Sequence, residues 1–154
     1  MRSLPLAALL LGLGLLGCAG GDAPPAALDV RNDICRSCRM PVSDPKLAAQ
    51  IAAPGEEPRF FDDIGCLRDF LAEEKNRTAG SIAYVADHRT GQWIEARRAV
   101  FGRCPAVETP MGSHLVAHVD AASRAADASA SGCANVAAAD IFGPSGPPGP
   151  RKGG

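Results

Sequence analysis

The chain has 154 residues, 46% of them hydrophobic, and a formal charge of −1. That near-neutral balance gives no basic excess for nucleic-acid binding. The length allows one compact domain or two very small ones with a modest core.

Arg2 precedes the run LPLAALLLGLGLLGC, which is too short for a membrane-spanning helix and suits a secretory signal over residues 1–17. Leu15, Leu16 and Gly17 before Cys18 form the cleavage pattern of a bacterial lipobox, so Cys18 is expected to be lipidated and to anchor the chain on the far side of the inner membrane. The plainer alternative is a soluble secreted protein cut within residues 19–23. Residues 18–33 then read as the lipidated cysteine and a flexible tether. Outside the cytoplasm thiols end in disulfides unless a metal or a reductase claims them. Five cysteines remain after Cys18, so at least one stays unpaired within the chain.

LAAQIAA and RFFDD flank the turn signal PGEEP and read as a hairpin. A helix should follow, with Asp62 as its cap and Ile64, Leu67 and Leu71 as one apolar stripe. SIAYVADH reads as a buried strand, and RTGQ as the turn into the shorter WIEA. In the second half AVFGRC and HLVAHVD are strands, DAASRAADASA is an Ala-rich helix capped by Asp120, and GCANVAAA returns as a last strand. Aligning Asp62 with Asp120 superimposes the two halves. The expected fold is therefore α+β, two small ββαβ units related by internal duplication. The units span residues 34–90 and 91–139, and the Pro/Gly-rich residues 140–154 are expected to be disordered.

Cys35, Cys38 and Met40 lie within six residues, in CRSCRM. A Cys35–Cys38 disulfide would close only a tiny loop and add little stability. A redox pair would want the motif at a helix start, which Pro41 and the following SDP oppose, although Arg36 and Arg39 favour thiolate. A zinc site would want four ligands, and there is no second CxxC, though His88, His114 and His118 could complete one. Soft, low-coordinate Cu(I) is satisfied by two or three sulfurs, and a thioether beside the thiols suits a metal better than thiol exchange. Met111 stands in a constrained turn, ETPMGSH, where an apolar side chain has little core to fill. After the initiator, Met40 and Met111 are the chain's methionines.

The ordered set Cys18, CRSCRM, AAQI, FFDDIGCL, VADHRTGQWIEARRAVF, TPMGS and AHVD resembles the NosL family, the lipid-anchored copper proteins that serve assembly of nitrous-oxide reductase. The resemblance implies Cu(I) held by Cys38, Met40 and Met111, with Cys35 next. It implies delivery of copper to nitrous-oxide reductase beside a Nos-type ABC transporter assembly complex. The chain is expected as a monomer or weak dimer facing the periplasm, on the outer membrane because Ala19 gives no acidic retention signal, with the inner membrane as the alternative. Arg39 stands where family members commonly have glycine, and the atypical His114 is a candidate extra ligand. Cys66 reads as a buried free thiol, and Cys104 with Cys133 as a disulfide. No nucleophile elbow, phosphate-cradling loop or promising carboxylate pair argues for an enzyme. The rival functions are a thiol-disulfide reductant using Cys35 and Cys38, and a scaffold lipoprotein of the assembly complex.

Overall fold

The computed structural model describes residues 23–150, so the signal, Cys18 and the last four residues lie outside the described region. Strand β1 (Ala49–Ala52) and strand β2 (Arg59–Phe61) form the expected hairpin. Helix α1 (Ile64–Ala72) follows at once, burying Ile64, Cys66, Leu67 and Leu71. Its N-cap is Asp63, whose carboxylate accepts from the Gly65 N–H, and not Asp62 as the sequence suggested. Extended φ/ψ falls on the residue immediately before the helix, and that shift by one leaves Asp62 free for another role.

Strand β3 (Ile82–Ala86) returns beside β1, and β4 (Trp93–Glu95) adds to its outer side, giving the order β2-β1-β3-β4. The first sheet therefore runs past residue 90, where the second unit was expected to begin. The cause is the tight turn at Asp87, whose carbonyl accepts the amides of Thr90 and Gly91 and sends the chain back along β3. Strands β5 (Val100–Arg103), β6 (Leu115–His118) and β7 (Ala134–Val136) form a second sheet ordered β6-β5-β7. Helix α2 (Ala121–Ala125), capped by Asp120, joins β6 to β7.

Both sheets put their first strand in the centre, the second on one flank and the strand after the helix on the other, with every pairing antiparallel. This is an α+β fold compatible with two ββαβ units; descent of the two halves from one ancestor is not needed to explain it.

Burial explains the composition of the strands. Ala49, Ile51, Ala83 and Val85 face α1 and the main core, together with Phe61, Phe101, Leu115 and Phe142. Alternation turns Ala52, Ile82 and Tyr84 to the other face, where they meet Ala23. Gln50, fully buried on β1, is satisfied by exchanging hydrogen bonds with the backbone of Ala26 at 2.8 and 3.0 Å. The Tyr84 hydroxyl donates to the Ala23 carbonyl at 2.8 Å. From Ala23 onward the expected tether is thus a strap across the first sheet.

The C-terminal stretch also differs from expectation. Helix α3 (Ala138–Phe142) packs on α1, and Phe142 meets Phe101 edge-on at 5.7 Å. Arg77 donates to the carbonyls of Leu71, Phe142 and Gly146, Arg97 donates to Pro147, and the Ala83 N–H donates to Pro148. Proline- and glycine-rich backbone still carries carbonyl acceptors, and these two arginines collect them.

Candidate metal centre

The CRSCRM segment is a small loop closed on itself. The Cys35 N–H donates to the Met40 carbonyl at 2.8 Å, and Ile34 bridges to Pro41. The Arg36 N–H docks the loop on β2 through the Phe60 carbonyl at 2.8 Å. Arg39 has φ of 68°, the left-handed region that a glycine occupies without strain. That backbone need is a physical reason for glycine to be favoured at this position.

Helix α1 brings a third thiol to the loop. Cys66 lies in its first turn, 3% exposed, while Cys35 is 0% exposed and Cys38 half-buried. The Cys38 thiol donates to Asp62 Oδ2 at 3.2 Å. Ligand atoms of Cys35, Cys38, Cys66 and Asp62 all lie within 4.8 Å of one another. Cys104 and Cys133 form a disulfide, so the three grouped cysteines are the free thiols among the described residues.

The group holds an uneven set of protons. The Cys35 thiol is held down to about 6, first by the Cys66 thiol donating to it, against the cost of burial. Cys66 is pushed well up, because Cys35 holds its proton and burial disfavours a second charge. Burial foremost pushes Cys38 up to about 11. One thiolate, on Cys35, is therefore stabilised by neighbours that stay protonated. Asp62 Oδ1 is buried and has no hydrogen-bond partner among the described residues. A buried carboxylate oxygen without a donor marks this group as incomplete by itself.

The TPMG loop docks on the same helix end. Asp63 Oδ2 accepts from the Met111 N–H at 3.0 Å, and Asp63 Oδ1 from the Ser113 hydroxyl. Burial opposes ionisation of Asp63, but donors from Ser113, Thr109, Gly65 and Met111 outweigh it and hold the carboxyl below its usual range. The side chains of Met40 and Met111 are exposed, at 57% and 55%, Met40 on the loop that carries Cys35 and Cys38 and Met111 on the loop docked at Asp63. His114 is held elsewhere, its Nδ1–H donating to the Val107 carbonyl at 2.8 Å. His88 and His118 do not join the thiols either; both meet Asp127.

Of the residues expected to bind, Cys35 and Cys38 are thus brought together, with Cys66 and Asp62 added. The spacing of Asp62 and Cys66, four residues apart across a helix start, held the signal for both. Alone it does not point to CRSCRM, because the meeting depends on the loop docking against β2.

The cluster supplies soft sulfur donors beside the buried Asp62 carboxyl group, a set that fits a thiophilic metal ion. The family model described as NosL matches residues 25–143 of the chain. No curated protein and no solved structure gives a significant match.

Proposed function

The chain belongs to the NosL family, and from that membership we propose that it is a copper carrier, binding Cu(I) through Cys35, Cys38 and Cys66 and passing it to nitrous-oxide reductase. The observation that carries this reading is the grouping of three free thiols and Asp62 within 4.8 Å. Thiolates prefer Cu(I) to harder ions, and two or three are enough for it. The copper is cargo, so the site must release what it holds. Half-buried Cys38 is the ligand best placed to leave first, and exposed Met40 and Met111 are thioethers that can take the ion as it moves outward. Thioethers carry no proton to displace, so such a transfer is not slowed by protonation.

In this proposal the chain is lipidated at Cys18, faces the periplasm from the outer membrane, and works beside the Nos-type ABC transporter complex. It is a carrier and not an enzyme. A thiol-disulfide reductant is the weaker reading, because the low-pKa thiol, Cys35, is fully buried and closed to a protein disulfide.

The test is a Cu(I) titration of the reduced chain against a chromophoric competitor. One tightly held copper is expected, with Cys66→Ser costing at least about tenfold in affinity and Met111→Ala costing less but speeding transfer to a competing chelator. Parent-like affinity in Cys66→Ser would remove the helix thiol from the site.

A further inference from the structure

At the opposite end of β6 from the TPMG loop, three ligand-type side chains converge from three different elements. His88 follows β3, His118 closes β6, and Asp127 lies after α2. His88 Nδ1 lies 2.7 Å and His118 Nε2 lies 2.9 Å from one oxygen, Asp127 Oδ2. The other oxygen, Oδ1, accepts the backbone N–H and the hydroxyl of Ser129, which aims Oδ2 at the two rings.

The backbone around these groups is also fixed. The His88 N–H donates to the Ala117 carbonyl at 2.8 Å. The neighbouring Asp87 carboxylate accepts from the Val119 N–H and the Ser123 hydroxyl, so the turn carrying His88 is locked to the end of β6 that carries His118.

We propose that His88, His118 and Asp127 form a second metal site, for a divalent ion of the zinc type. Two imidazoles and a carboxylate are a borderline-hard set, which selects Zn(II) over Cu(I). Each nitrogen already points at the shared carboxylate oxygen, and the Ser129 donors provide the outer support that metal-bound carboxylates need. Access is available. His88 and Asp127 side chains keep 13% and 9% exposure, and Asp127 lines a surface cleft of about 640 Å³ shared with Ala121, Ala125 and Ala128. Arg124, which also lines the cleft, has its guanidinium engaged by Asn135, another lining residue, and by the Cys133 carbonyl. A water from the cleft would supply the fourth position.

A ring nitrogen that takes the ion cannot keep its own proton, so the ring N–H must then sit on the other nitrogen. For His118 that nitrogen is Nδ1, which is buried and has no hydrogen-bond partner among the described residues. The ion therefore leaves a spectroscopic mark, a fixed tautomer at both rings.

The proposal does not depend on copper binding and is tested apart from it. The reduced full chain is titrated with Zn(II) beyond saturation of its thiols, and the ring ¹⁵N resonances of His88, His114 and His118 are followed by NMR. The expected result is that His88 Nδ1 and His118 Nε2 shift together while His114 does not. Asp127→Asn should need at least about tenfold more zinc for the same shift. Unmoved His88 and His118 rings, equal shifts at all three histidines, or parent-like zinc binding in a folded Asp127→Asn would each overturn the site. The parent spectrum decides by itself if that variant does not fold.

Discussion

At the scale of single residues, the thiol group is set by which sulfur keeps its proton. Free cysteines near neutral pH are mostly protonated, so an ordinary three-thiolate site would release about three protons on taking a metal. Here Cys35 is held down to about 6, while Cys38 and Cys66 are pushed up. Above pH 6 the first ligand is therefore already charged, and the other two must lose protons to the solvent as the ion binds. Cu(I) binding at pH 7.5 should then release about two protons, measurable by calorimetry in buffers of different ionisation enthalpy. The sign follows from the directions of the shifts. As pH falls through 6, Cys35 gains a proton that the metal must displace, and affinity should fall more steeply than it does between pH 7 and 8. Release of one proton or none would mean that Cys38 and Cys66 do not both become ligands.

At the scale of elements, the start of α1 holds both halves of the site. Asp63 caps the helix and also binds the TPMG loop, while Gly65 lets that loop approach: a Cβ there would meet Ser113 Cβ at 2.7 Å. Gly65→Ala should gain about 1 kcal/mol of helix propensity and lose about 1–3 kcal/mol to overpacking, so a net loss is expected. Its clearest readout is faster hydrogen exchange at the Met111 and Ser113 amides, with a lower Tm. Exchange like the parent's and a raised Tm would show that the contact is loose. This junction also marks how far the sequence could be read. The Ile64, Leu67, Leu71 stripe and the alternation of the strands were legible because local periodicity reports burial directly. Cys35 and Cys38 were legible because their spacing is itself the chemistry. In sequence Cys66 reads as an isolated buried thiol because its burial is local, whereas its partners are set by a loop docking on β2, and no periodicity encodes that. In sequence Asp62 and Asp63 are equally good capping residues; in the fold Asp63 caps the helix while Asp62 accepts from Cys38.

At the scale of the whole molecule, the two sheets are joined at both ends of their seam. At one end Asp87 bridges to Ala117 and accepts from Val119; at the other, α3 lies on α1 while Phe142 reaches Phe101 of the second sheet. The second join depends on Arg77, because a tail rich in proline and glycine offers few amide donors and little apolar surface of its own. Composition points to disorder for residues 140–154, and Arg77, Arg97 and the Ala83 N–H, all far away in sequence, reverse that outcome for the described part of it. Each hydrogen bond to a charged donor contributes about 1.5–3 kcal/mol when buried, and partial exposure reduces that. Arg77→Ala should accordingly destabilise the chain by about 2–4 kcal/mol and make residues after α3 accessible to limited proteolysis. Cu(I) affinity should stay within about twofold of the parent's, since none of the thiol group's hydrogen bonds passes through Arg77. If the tail instead resists cleavage in Arg77→Ala, then the Phe142 contact with Phe101 and the Pro148 bond to Ala83 are enough to hold it. If copper affinity falls with stability, the thiols depend on the seam between the sheets, and the site belongs to the whole fold and not to its first unit.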